Sequence, residues 1–160
     1  MPEDVKKLND LMPTIKEQLR AGGSVRFSPN GTSMRPMLRQ GKDTVVLSPL
    51  PEQLKPFDLP LYQRDNGQYV LHRIIAVEDQ GFTCVGDNQV QLEYGVRQDQ
   101  MIGLVTAFYR GKKEWSVSSL SYRIYCRFWH GTRSIRRVWR KLVVAAIAVL
   151  KFLLGKDRRK

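Results

Sequence analysis

Only two cysteines, Cys84 and Cys126, occur in this chain of 160 residues; they stand far apart, outside any C-x-x-C spacing and with no histidine at ligand distance in the sequence. That excludes a zinc ribbon and a dithiol redox motif, so no metal and no cofactor is expected, and both cysteines read as structural thiols. Acidic residues are scarce as well, 15 against 27 lysines and arginines, for a net charge of +12. Such an excess implies attraction to an anionic surface, either nucleic acid or lipid head groups. It is concentrated from Arg123 onward around an apolar run, whereas the middle of the chain is mixed in sign, which favours a membrane surface over nucleic acid. The first ten residues, MPEDVKKLND, contain no apolar core of a signal sequence. Neither a cleavable signal peptide nor an N-terminal signal anchor is therefore expected, and a cytoplasmic location follows as the default. Internal repeats and low-complexity tracts are absent too.

What is present reads as one β-rich domain with two helical appendages. Val5, Leu8, Leu11, Met12, Ile15 and Leu19 recur at helical spacing over 4–19, and Ala21-Gly22-Gly23 ends the pattern, so an amphipathic N-terminal helix is expected. Strands are expected at 24–28, 43–47, 59–63, 68–77, 81–85 and 101–109, with turns at Asp65-Asn66-Gly67 and Gly111-Lys112-Lys113. The fold class is thus mainly β, a small antiparallel β-barrel or sheet core. From about residue 118 the chain becomes a basic helical tail, interrupted near Gly131 and running into the apolar segment 142–154. The expected division is a domain at 1–117 and a membrane-associating tail at 118–160.

The segment 30–41, NGTSMRPMLRQG, has the makings of a nucleophile turn. Gly31 allows backbone angles that a side chain forbids, Pro36 stiffens the exit, and Met34, Met37 and Leu38 offer apolar walls. Ser33 is the candidate nucleophile, with Gly31, Thr32, Met34 and Pro36 as oxyanion or substrate-binding positions. A serine hydroxyl needs a group to take its proton, and His72, polar on the face of 68–77 that also carries Val70, Ile74 and Ala76, is the candidate base. Asp87, in the turn Gly86-Asp87-Asn88, is the expected orienting acid, and Glu93 is an auxiliary acid able to substitute or assist.

Taken in order, Gly31-Thr32-Ser33-Met34-Arg35-Pro36, Gly41 with Asp43, His72-Arg73-Ile74-Ile75 and Gly86-Asp87-Asn88 resemble the boxes of the type I signal peptidase superfamily, which includes the LexA-like self-cleaving repressors. The histidine places the resemblance closest to the Ser-His, endoplasmic-reticulum-type branch, and it covers roughly 25–105. It implies a serine endopeptidase that cleaves a peptide or protein precursor through an acyl-enzyme, using Ser33, His72 and an aspartate. The chain departs from that pattern at Gly31, where bacterial enzymes carry a serine that assists the oxyanion, and at Lys42, inserted between Gly41 and Asp43. Glu93 stands where the endoplasmic-reticulum type tends to have a second aspartate.

The segment 142–154 is apolar nearly all round and bounded by Arg136, Arg137, Arg140 and Lys141 before it and Lys156, Arg158, Arg159 and Lys160 after it. Thirteen helical residues span about 20 Å against a hydrocarbon core of about 30 Å. An interfacial helix on an anionic membrane surface is therefore expected, with a single-pass helix as the alternative and Tyr125, Trp129 and Trp139 at head-group level. Two other functions compete with the peptidase: a catalytically silent membrane-surface binding module, and, ranked last, a nucleic-acid-binding protein suggested by charge alone.

Overall fold

The computed structural model describes residues 3–156, with side chains at 8–139 and 141–147. Helix α1 (Glu3–Arg20) leads into strands β1 (Val25–Phe27), β2 (Asp43–Ser48), β3 (Pro60–Gln63), β4 (Tyr69–Leu71), β5 (Arg73–Glu78), β6 (Gly81–Val85), β7 (Glu93–Val96), β8 (Met101–Arg110) and β9 (Lys113–Ser116). Helices α2 (Leu120–Gly131) and α3 (Arg133–Lys156) follow. The expected mainly-β class needs correction, since helix and strand contribute about equally, 30% and 32%, and the antiparallel sheets do not close into a barrel. The difference arises because the C-terminal quarter is two helices and because the strands divide between separate sheets.

Strand β8 organises the larger, six-stranded sheet. Its residues 104–110 pair with β2 on one edge, from Asp43 opposite Arg110 to Ser48 opposite Leu104, while β3 and β9 share its other edge. The smaller sheet is β5-β6-β7. The segment 68–77, expected as one strand, is broken at His72: β4 belongs to the first sheet and β5 to the second. The chain changes sheets there, so both of its sides are covered, and Leu71, His72, Arg73 and Ile74 are all buried instead of alternating. Strands β7 and β9 were not expected, because Tyr94-Gly95 and the charged Lys113-Glu114 interrupt any run of β-formers.

Helix α1 packs Met12, Ile15 and Leu19 onto the larger sheet, as its spacing requires, while Leu11 is exposed. Gly22, at a φ of +80°, ends it: its N–H reaches the carbonyl of Leu19 while Gly23 reaches that of Gln18, the paired bonds of a Schellman cap. Truncating Met12 to alanine would cost about 2–5 kcal/mol by emptying this contact.

The expected boundary at residue 118 falls next to Ser119, whose side chain caps α2. Helix α2 nevertheless joins the core: Tyr122 and Cys126 are buried in the same apolar cluster as Val45, Leu47 and Phe108. Arg158, Arg159 and Lys160 lie outside the described residues. Among those described, no helix is long and apolar enough to cross a membrane, so the single-pass alternative for 142–154 has no helix to carry it.

Candidate active site

The turn after β1 folds back through short bonds, from the Arg35 N–H to the Thr32 carbonyl at 3.2 Å and from the Leu38 N–H to the Met34 carbonyl at 2.9 Å. Gly31 sits at a φ of +89°, which explains the residue type there. Asp43 closes the far side of the turn: its carboxylate, fully buried, accepts from the Arg39 backbone N–H at 2.9 Å and from the Arg39 and Arg110 guanidinium groups. Ser33 is clamped from the other side by the Gly86-Asp87-Asn88 turn. The Asn88 N–H donates to the Ser33 carbonyl at 2.7 Å and the Asn88 amide to the Thr32 carbonyl at 3.2 Å. A Cβ on Gly86 would lie 2.7 Å from the Ser33 carbonyl oxygen and 3.0 Å from the Ser33 Cβ, so only glycine allows this approach.

Ser33 and His72 line one cleft of about 490 Å³, together with Gly31, Thr32 and Met34 from the turn and apolar side chains that include Phe27, Leu61 and Leu71. Pro36 is not part of it; it borders a separate depression with Trp115 and Tyr125. The structure thus sets Pro36 apart from the Ser33 cleft that its expected substrate-binding role calls for. No hydrogen bond joins the Ser33 hydroxyl to His72 among the described residues, and the amide N–H groups of Ser33 and Met34 donate to none of them.

The two acids take different places. His72, 2% exposed, has its Nδ1 2.7 Å from Glu93 Oε1, and the Tyr62 hydroxyl donates to Glu93 Oε2 at 2.9 Å. Arg64 grips the same carboxylate with two bonds, Nε to Oε2 at 2.8 Å and Nη2 to Oε1 at 2.5 Å. Burial works against the Glu93 charge, but the hydrogen bonds from His72, Arg64 and Tyr62 prevail and hold its pKa far below the usual carboxylate range. Burial next to Glu93 raises the Tyr62 hydroxyl strongly, keeping it a donor. An ionised Glu93 offers only lone pairs, so Nδ1 must carry the imidazole proton, leaving Nε2 as the basic nitrogen.

Asp87, expected beside His72, is committed elsewhere. Arg73, 0% exposed, binds it with two bonds of 2.9 Å, the Tyr125 hydroxyl donates to it at 3.0 Å, and His130 Nε2 lies 3.2 Å away. The Trp129 indole donates to the Asp87 backbone carbonyl at 2.8 Å. Burial alone would raise the Asp87 pKa, but the charge of Arg73 and the His130 contact bring it down to about 2. The orienting role expected of Asp87 is thus occupied geometrically by Glu93, because a fully buried guanidinium claims the aspartate first.

Sequence reasoning gave no role in the site to Tyr62, Arg64, Arg73, Tyr125, Trp129 or His130. One signal was available: Arg73 interrupts an apolar strand, and a cation there demands a buried counter-charge. The placement of Tyr125 and Trp129 at a head-group level is corrected as well, since both point inward to Asp87.

Comparison with protein-family models, with curated proteins and with solved structures finds no match to this chain.

Proposed function

We propose that the chain is a serine endopeptidase of the signal peptidase-like kind, cleaving a peptide or protein precursor through an acyl-enzyme, with Ser33 as nucleophile, His72 as base and Glu93 as the orienting acid. The observation that carries the reading is that His72, which lines the same cleft as Ser33, is bonded at Nδ1 to Glu93, with Glu93 held ionised by Arg64. In this reading His72 Nε2 takes the Ser33 proton as the oxygen attacks the scissile carbonyl. The imidazolium is stabilised by Glu93, and the proton is then given to the leaving amine. The N–H groups of Ser33 and Met34, which donate to nothing among the described residues, are suited to receive the oxyanion, which answers the absence of a serine at residue 31. Water then repeats the sequence to release the acyl group. The basic, apolar C-terminal region supports a location on an anionic membrane surface, where a membrane-bound precursor arrives.

Labelling by an active-site serine acylator tests the reading: wild type is expected to be modified at Ser33, and Ser33→Ala to be inert while melting within about 2 °C of wild type, because a turn hydroxyl contributes little to packing. Equal labelling of both proteins refutes it. One observation favours a catalytically silent membrane module instead, the missing hydrogen bond between Ser33 and His72. Apo sites often hold such pairs loosely, and the same labelling experiment separates the two readings.

A further inference from the structure

Helix α3 is turned the opposite way from a helix that packs on its own protein. Ile135, Val138, Trp139 and Leu142 recur at i, i+3, i+4 and i+7, which sets them on one face, and all four are exposed, Trp139 at 67%. The charged side meets the body instead. Arg133 donates to the Val90 carbonyl, Arg137 to the same oxygen at 3.4 Å, and Arg136 to the Trp129 carbonyl, its guanidinium 3.7 Å from the indole centroid. Helix α2 has an uncovered apolar side as well. Leu120, Ile124 and Phe128, at i, i+4 and i+8, are exposed, Phe128 at 67%, on the side away from buried Tyr122 and Cys126. The uncovered apolar surface therefore begins well before 142–154, on an element anchored in the core.

Charge selects what covers it. Residues 120–156 contain arginines and lysines and no aspartate or glutamate, and Arg123, Arg127 and Lys141 are exposed on the same two helices. A second copy would set this charge against itself. A nucleic acid would accept the charge but leave the apolar side chains in water, whereas an anionic bilayer accepts both. We propose that α2 and the first half of α3 form a docking face that lies in the plane of an anionic lipid surface, with Ile124, Phe128, Ile135 and Trp139 entering the acyl boundary. The proposal rests on the reading of the C-terminal region as membrane-associating and adds a face on the body itself. Tyr125, Trp129 and His130 of α2 hold Asp87, and its neighbour Asn88 holds Ser33, so lipid contact through α2 also sets how the cleft is oriented to the membrane.

Co-sedimentation of the full chain with vesicles of phosphatidylcholine and phosphatidylglycerol tests this, using Phe128→Ser and Ile135→Ser. Both side chains are exposed, so both variants are expected to melt as wild type does, and each is expected to lower vesicle affinity about tenfold, the loss of one buried apolar side chain. Binding unaffected in both, but lost in Ile147→Ser, overturns the docking face and leaves the membrane-associating tail standing. Failure of wild type to bind these vesicles removes both. A concentration-dependent dimer that Phe128→Ser dissolves, or binding of DNA that the same variant weakens while vesicle binding is unchanged, assigns the face to another occupant and overturns the proposal.

Discussion

Asp87→Asn and Glu93→Gln are expected to fail in opposite ways, and the contrast tests the division of labour between the two acids. Asp87→Asn removes the only carboxylate among the described residues that is bonded to Arg73, a guanidinium with no exposed surface. The amide can accept one of the two bonds but supplies no charge, and leaving a buried cation uncompensated costs about 3–5 kcal/mol. For a chain of this size that lowers the melting temperature by roughly 10 °C. Glu93→Gln is the reverse case. The Glu93 side chain is 22% exposed and Arg64 30%, so water can solvate Arg64 once the charge is gone, and the melt is expected to fall less than in Asp87→Asn. Its effect falls on the imidazole: a glutamine amide beside Nδ1 can donate as well as accept, so the tautomer with basic Nε2 is no longer enforced. Misassigned tautomers in serine hydrolases cost up to about 10⁴ in kcat; partial solvent access to Glu93 puts the expected loss here at about 10² to 10⁴. Differential scanning calorimetry and burst-phase acylation, run on both variants, read the two effects separately. An Asp87→Asn protein that melts as wild type yet has lost acylation would make Asp87 the orienting acid and refute the assignment.

Other consequences follow from the same geometry. His72→Ala should abolish acylation of Ser33; a variant that still acylates at the wild-type rate would exclude His72 as the base. Asp87, lowered from 3.8 to about 2, stabilises the fold fully above its unfolded value and loses that contribution as pH falls from about 4 to 2. The difference is worth about 2 kcal/mol, so acid denaturation of wild type should steepen in that window and that of Asp87→Asn should not. Gly86→Ala should lower acylation at least tenfold, since its Cβ meets the Ser33 carbonyl at 2.7 Å and pushes the turn away from His72; unchanged acylation would show that the turn tolerates displacement.

The elements that carry a strong period were legible in the sequence. Helix α1 and strands β2, β6 and β8 fall within a residue or two of expectation: β2 alternates buried and half-buried residues, and the apolar runs of β6 and β8 stop at Gly86 and Gly111. Where a segment serves two partners, periodicity misleads. The run 68–77 alternates well enough to read as one strand, yet it passes from one sheet to the other at His72, and a residue at such a crossing is buried whichever way it points. The barrel failed for a related reason: strand count and turn spacing say how many strands there are, whereas closure depends on which edges pair, and β8 spends both of its edges on β2, β3 and β9.

At the candidate site, Ser33 and His72, singled out in the sequence as candidate nucleophile and base, line one cleft. The acid was harder, since the local chemistry of Asp87 and Glu93 barely distinguishes them. Asp87 lies nearer in sequence to His72 and in a turn of the expected form; what diverts it is Arg73, one residue past the histidine and pointing to the other side of the crossing strand. Once Arg73 is buried it requires a full negative charge, and α2, arriving from 43 residues downstream with His130, completes the cage. Glu93 is left for His72, reached through β7, a strand too short and polar to be seen in the sequence, and kept ionised by Arg64 from the end of β3. The assignment of the two carboxylates is therefore decided by where the nearest cation is buried. Moving that cation should move the assignment: in Arg73→Met, which removes the buried guanidinium while filling its volume, Asp87 loses its chief partner and its pKa should climb from about 2 toward the ordinary carboxylate value or above it, as burial alone dictates. A carboxylate resonance for Asp87 that still titrates near 2 in that variant would refute Arg73 as the group that commits it.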